Sequence, residues 1–240
     1  MNCLILAAGY ATRLGKLTEN FPKPLLPVKD KAILDWLLDD LASTGAIAQF
    51  IVVSNHRFAD IFRNWAAARK EKIIVLDDGS TANENRLGAV KDMSFAQREL
   101  ALQGDLLVIA GDNLLSFSLN GFLQYAQEKR NCCVMRYFEP SEQRLTRCGV
   151  ISIDATERIT EMQEKPAVPK SHWCCPPFYY FTEQAAGLIE KGIAAGCGTD
   201  APGSFIAWLC QQVPVYAMEM PGRRYDIGTL ESYQRVQEDF

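Results

Sequence analysis

Leu4-Ile5-Leu6-Ala7-Ala8-Gly9-Tyr10-Ala11-Thr12-Arg13-Leu14, followed by Phe21-Pro22-Lys23-Pro24-Leu25-Leu26-Pro27-Val28, is the stretch on which the fold turns. A short apolar run gives way to small residues, and a loop carrying one Arg and one Lys follows. Small residues after a strand let a bulky anion approach the backbone closely. Exposed N–H groups in such a loop form an anion-binding concavity, and Arg and Lys add full charges to it. Ala8-Gly9 alone also fits an ordinary strand-to-loop turn with a solvated Arg and Lys, because one Gly is weak evidence.

Outward from this stretch, strand-like and helix-like segments alternate through the first half. Cys3–Ala7 reads as a strand, and Leu34, Leu37, Leu38 and Leu41 fall at helical spacing between about Ala32 and Thr44, with Gly45 as the stop. Gln49–Ser54 is a β-branched strand, Phe58–Ala68 a helix, Lys72–Leu76 a strand, and Asp77–Arg86 a polar loop. A helix from Leu87 to about Leu100, the strand Asp105–Ala110 and a helix from Phe117 to Lys129 complete the series. This order calls for a parallel sheet with helices on both sides, a Rossmann-like α/β fold. After Asn131 the texture changes. Cys132–Phe138, Gly149–Ile153, Arg158–Glu164 and Trp173–Phe181 read as strands joined by turns, a small antiparallel extension. Thr182–Ala195 and Pro202–Gln211 return to helix, with Thr199 or Asp200 as N-cap of the second. Val213–Met218 is a strand, and Thr229–Phe240 closes the chain as a helix. No linker, repeat or low-complexity segment interrupts the series, so one domain over residues 1–240 is expected.

A hydrophobic content of 48% and a charged content of 22% are those of an ordinary globular protein. The net charge of −4, with no block of like charge, argues against a nucleic-acid surface or a polybasic membrane patch. No apolar run approaches the ~20 residues that span a bilayer. The N-terminus lacks a basic region before its apolar stretch, so a cytoplasmic location is expected. Eight cysteines without a Cys-x-x-Cys pattern read as free, buried thiols. His172 beside Cys174 and Cys175 lacks zinc spacing.

In open parallel sheets the ligand sits at the carboxyl ends of the strands. Gly9 to Arg13 follow the first strand, and Gly111-Asp112-Asn113 follow the apolar run Leu106–Ala110. A carboxylate there, facing a phosphate loop, suits Mg2+, although Asp and Asn are equally common turn residues. Tyr225-Asp226-Ile227-Gly228-Thr229 offers a second carboxylate before a helix, or simply a cap. Glu164-Lys165-Pro166 ends a strand, where charge and Pro are also common for local reasons.

Taken together, Leu6-Ala7-Ala8-Gly9, Thr12-Arg13-Leu14, Pro22-Lys23-Pro24-Leu25-Leu26-Pro27-Val28, Gly111-Asp112-Asn113, Cys148-Gly149-Val150, Glu164-Lys165-Pro166 and Asp226-Ile227-Gly228-Thr229 resemble, in order and from end to end, the nucleotidyltransferase family that makes nucleotide sugars from sugar 1-phosphates. The resemblance implies that Leu6, Ala7, Ala8, Gly9 and Thr12 cradle a nucleoside triphosphate whose phosphates Arg13 and Lys23 grip. It implies that Asn83, Arg86 and Gly88 meet the base. Asp112 and Asp226 would hold Mg2+. Asn113, Gly149, Glu164 and Lys165 would line the acceptor site, with Lys165 on the acceptor's phosphate. Arg13, Lys23, Asp112 and Lys165 are the implied catalytic set. Residues 1–130 would form a nucleotide-binding half and 131–240 an acceptor-binding half, in a chain that could form homo-oligomers.

The chain departs from the family pattern at Ala11, where Gly is frequent. It departs again at Asn83, where the sugar enzymes often carry Gln followed by Pro. A rival within the family is a cytidylyltransferase acting on phosphocholine or a related phospho-alcohol or phosphonate, with an aromatic cage drawn from Trp173, Phe178, Tyr179, Tyr180 and Trp208. Gly149, Glu164-Lys165-Pro166 and Asp226-Ile227-Gly228-Thr229 favour the sugar phosphate. A glycosyltransferase would carry Asp-x-Asp at the metal, and Asp112-Asn113-Leu114 is not that. A catalytically inactive nucleotide-binding regulator would have lost Arg13, Lys23 or Asp112, and all three are present.

Overall fold

A computed structural model describes residues 1–240. They gather into two compact units, one of residues 1–86, 110–120 and 221–240, the other of residues 87–109 and 121–220. No helix is long and apolar enough to cross a membrane.

The first unit is built on Asn2–Leu6, a strand whose Cys3, Leu4 and Ile5 are fully buried. A strand covered on both faces reads as a continuous apolar run, which is why this one has no polar alternation. It pairs in parallel with Gln49–Ser54, from Asn2 opposite Gln49 to Leu6 opposite Val53, and Gln49–Ser54 pairs in parallel with Ile73–Asp77. The helices Ile33–Ser43 and Ala59–Ala67 sit within the spans expected from their spacing. Arg69 joins them to each other, bridging to Asp35 at 3.0 Å and also to Asp39, while Trp65 donates its indole N–H to Asp35 at 3.0 Å.

A short antiparallel pair, Asn113–Leu115 with Arg224–Asp226, sets Asn113 opposite Asp226. Three-residue strands are too short to leave a periodic signal, and the sequence did not reveal this pair. The closing helix Leu230–Asp239 is capped by Thr229, whose hydroxyl accepts from Ser232 N at 3.2 Å. Its Tyr233 and Gln237 both donate to the Pro27 carbonyl, at 2.6 and 2.8 Å. Beneath this helix Leu14, Leu26, Val28, Ile33, Leu114, Ile227 and Val236 form one buried cluster. Segments distant in sequence therefore share a core around the Lys23 loop.

The second unit carries the expected antiparallel extension. Its strands lie in the order Ile159–Glu164, Gly149–Ile153, Trp173–Cys174, Cys132–Phe138, Phe178–Phe181, Leu106–Ala110. Each neighbouring pair in that order is antiparallel, and Val215–Glu219 lies parallel to Cys132–Phe138. The helix expected over Thr182–Ala195 is two short ones, Glu183–Ala186 and Ile189–Ala194. Gly187 ends the first of them, and Gly in mid-helix is costly. The helix Gly203–Leu209 has Pro202, not Thr199 or Asp200, at its N-cap position. The Thr199 and Asp200 carbonyls accept instead from Val90 N at 3.0 Å and Ala89 N at 3.1 Å, satisfying the open N–H groups of the helix Ala89–Leu100. All eight cysteines are free, six of them buried.

Candidate active site

Leu6 ends its strand, and Ala7 N still bonds to Val53 O at 2.9 Å. Ala7 and Ala8 are buried, Gly9 is exposed, and nothing lies within 4 Å of where a Gly9 Cβ would be. The open space over Gly9 leaves backbone accessible to a ligand. The loop beyond is held rigidly. Fully buried Asn55 donates to Ala8 O at 3.0 Å and accepts from Phe58 N at 3.1 Å. Tyr10 donates its hydroxyl to Ser80 O at 2.9 Å. Ala11 is left-handed, with φ 47° and ψ 38°, and its carbonyl accepts from the Thr18 hydroxyl at 2.9 Å. Gly would adopt that conformation without strain; Ala adopts it at about 1–2 kcal/mol. Gly15, at φ 55° and ψ −128°, occupies a region essentially reserved for Gly.

These elements line a cavity of about 260 Å³. Leu6, Ala7, Gly9, Arg13, Lys23 and Asp112 from the expected set all border it, and Ile227 and Gly228 line it too. Ala8 lies buried beneath the loop and Thr12 is exposed; neither borders the cavity. The Arg13 guanidinium passes Gly228, where a Cβ would come within 3.6 Å of it.

Lys23 is 7% exposed, and its ammonium donates to Asp112 Oδ2 at 2.7 Å. Burial raises the Asp112 carboxyl, but the Lys23 charge and hydrogen bond, helped by the Arg224 charge, outweigh it and hold the group below the usual carboxylate range. Gly111 makes the placement possible. Its N–H bonds to Leu6 O at 3.1 Å, and a Cβ there would press on Ile5 Cγ2 at 3.0 Å. Asn113 is 1% exposed and faces inward. Its amide donates to Ala110 O and Asp112 Oδ1, both at 3.1 Å, and accepts from Arg224 at 2.7 Å. Asn113 thus braces Asp112. Asp226 lies opposite Asn113 in register, is 62% exposed in its side chain, and approaches Arg224 at 3.9 Å.

Asn83 opens a single 3-10 turn, Asn83–Asn85. Its side-chain oxygen accepts from Arg86 at 2.8 Å, and Asn85 ties the turn to Thr81 N and Ala82 N at 3.0 Å. In the second unit Gly88 has φ 91°, and a Cβ there would fall 2.5 Å from the Thr199 carbonyl oxygen, so only Gly fits.

The second unit gathers Gly149, Glu164 and Lys165. Gly149 is paired with Glu164 across the hairpin, and Lys165 N bonds to Cys148 O at 3.0 Å. Lys165 has φ 49° although Pro166 follows, and Pro disfavours helical backbone in the residue before it. Its side chain is exposed. The Glu164 carboxyl is pushed up by burial and by the Asp200 charge, against the pull of Lys165. The five aromatics of a conceivable cage are spent on packing. Phe178, Tyr179 and Tyr180 are buried in their strand, and Tyr180 bonds to Asp105. Trp173 packs on Phe138 and under Arg136, and Trp208 stacks on Phe205.

Three residues that shape the first unit's site carry no signal in the sequence: Asn55, Thr18 and Arg224. Each acts through long-range or loop contacts, and no spacing rule marks such contacts.

A family model described as nucleotidyl transferase matches residues 2–240. A glucose-1-phosphate adenylyltransferase of Fervidobacterium nodosum is 28% identical over 243 residues, covering 96% of this chain and 59% of that protein. The bifunctional protein GlmU of Methanocaldococcus jannaschii is 28% identical over 230 residues, covering 95% of this chain and 51% of the relative. The chain thus spans between about half and three-fifths of the length of these curated relatives. A UDP-glucose pyrophosphorylase crystallised with UDP-glucose superposes with a TM-score of 0.80 at 19% identity, over 99% of this chain and 97% of that one, a likeness of fold.

Proposed function

The chain belongs to the nucleotidyl transferase family, and from that premise we propose that it joins a nucleoside triphosphate to a sugar 1-phosphate, releasing pyrophosphate. The observation that carries this reading is the Lys23–Asp112 pair at 2.7 Å on the wall of a cavity whose rim is the open backbone at Gly9 and the Arg13 side chain.

In this reading a phosphate oxygen of the acceptor attacks the α-phosphorus in line, and the bond to the departing pyrophosphate breaks. The nucleophile is already anionic near neutral pH, so no general base is needed. The barrier is repulsion between two anions and charge growing on the leaving group, and positioned cations lower both. Arg13 and Lys23 neutralise the triphosphate, and Leu6 to Gly9 admit it against the backbone. Lys165 holds the acceptor's phosphate, and Gly149, bare of a side chain, lets the Glu164 carboxyl lie against its backbone. Glu164, which accepts no hydrogen bond within the protein, takes one from a hydroxyl. Asn83, Arg86 and Gly88 are the residues this reading assigns to the base.

Two carboxylates are a suitable donor set for Mg2+, a hard ion that commonly takes one or two carboxylates and fills its shell with phosphate oxygens and water. Asp112 and Asp226 are the residues that would hold it, and the ion would supply charge neutralisation on the phosphates. Phe178, Tyr179 and Tyr180 are buried, and the half-exposed Trp173 and Trp208 pack on Phe138 and Phe205, so these five form no open cage for a quaternary amine, which favours the sugar phosphate over phosphocholine.

The test is a pyrophosphate-release assay with Mg2+, crossing the nucleoside triphosphates with sugar 1-phosphates and phosphocholine. Asp112→Ala and Lys165→Ala are each expected to lose on the order of 10²–10³ in rate. Wild-type rates in both variants would refute the assignment of these residues, and release with phosphocholine alone would refute the sugar phosphate.

A further inference from the structure

Glu164 does not reach its position unaided. Its Oε2 lies 3.1 Å from where a Cβ on Gly149 would be, and it would overlap a Cβ on Gly203. The Met162 Cε comes within 2.7 Å of both of those positions. The carboxyl and the thioether therefore share one hollow whose floor is two bare Cα atoms. Gly149 comes from the neighbouring strand, and Gly203 from the first turn of a helix packed against Glu164's own strand. Neither glycine has a positive φ, so neither is there for backbone freedom. What both provide is the absence of a side chain.

We propose that Gly203 is a specificity-determining position for the acceptor: by lacking a side chain it keeps Glu164 seated over Gly149, where its carboxylate meets an acceptor hydroxyl. This rests on the reading of Glu164 given above. The obstacle a Gly203 side chain would meet is the tip of two flexible side chains, not backbone. A methyl group there expels the carboxylate by rotation and leaves the fold standing. The contrast is Gly88, where the obstacle is the Thr199 carbonyl and no rotation relieves it. The raised Glu164 proton affinity agrees with a carboxyl held in the hollow, with Lys165, Asp200 and Cys175 as the charged or titratable groups around it.

The experiment combines kinetics and crystallography on the full chain. Gly203→Ala is expected to raise the acceptor KM at least ten-fold while the KM for the nucleoside triphosphate stays within two-fold. Its crystal structure is expected to show the Glu164 carboxyl swung out of the hollow. In the Glu164→Ala background the same substitution should add less than two-fold, because its target is already gone. Wild-type acceptor KM in Gly203→Ala, or full additivity in the double variant, would overturn the proposal. If Gly203→Ala does not fold, Glu164→Ala/Gly203→Ala decides. Recovery of the fold there supports a clash with Glu164, and failure there places the requirement with Met162 or the backbone instead of Glu164 and overturns it. If no triphosphate and acceptor pair releases pyrophosphate with the wild type, the functional reading falls by itself. The crystal structure then judges the seating of Glu164: a displaced carboxyl upholds the role of Gly203, and an unmoved one removes it.

Discussion

Ala11 holds a left-handed backbone without being Gly. Relief of about 1–2 kcal/mol of strain on Ala11→Gly is partly offset by about 0.4–1 kcal/mol of added unfolded-chain entropy. The expected net gain is therefore about 0.6–1 kcal/mol, read as a small rise in Tm. Ala11→Val, β-branched at a positive φ, should instead lower Tm. The Lys23–Asp112 pair gives a second expectation. A carboxyl held low in the folded state contributes stability above its unfolded pKa and loses it as pH falls through the folded one. Urea melts of the wild type and Asp112→Asn should differ near neutrality, with the wild type more stable, and converge in the acid range. A difference that persists at low pH would mean that the pair is not the source. These residues were legible in different degrees. Arg13, Lys23 and Asp112 stood in recognisable stretches, whereas Asn55 and Thr18 are ordinary polar residues whose work depends on the 47- and 7-residue separations their hydrogen bonds span.

Among the elements, the long periodic ones were legible and the short ones were not. Ile33–Ser43 and Gln49–Ser54 carry enough apolar residues to declare a period of 3.6 or a run of buried strand. Asn113–Leu115 and Arg224–Asp226 are three residues each, and only their mutual pairing makes them strands. Yet this pair aligns Asn113 with Asp226 and positions Arg224 to brace Asn113. The segment Thr182–Ala195 misled because its apolar residues keep helical spacing across a Gly that ends the first turn. Thr229 caps the closing helix through its hydroxyl. Thr229→Ala should cost about 1 kcal/mol, seen as a lower urea midpoint at an unchanged slope.

At the scale of the whole molecule, neither unit is a continuous stretch of chain. The first is assembled from residues 1–86, 110–120 and 221–240, so its core is complete only when the last segment joins. A hydrophobic pattern reports which residues are buried but not which distant segment they are buried against, and the interleaving was invisible in the sequence for that reason. Ile227 and Val236 belong to the cluster beneath the Lys23 loop. A chain cut after Met220 removes both, along with the strand opposite Asn113–Leu115. It is expected to lose its cooperative melt and to become protease-sensitive across residues 1–86. A native-like melt of that fragment would contradict the shared core.

The double grip of Tyr233 and Gln237 on the Pro27 carbonyl has a practical side. Whatever is fused behind Phe240 hangs from a handle fastened four positions beyond Lys23. A bulky affinity tag placed there would tug on the very loop whose performance one wishes to assay, and the engineer should leave a slack spacer before it.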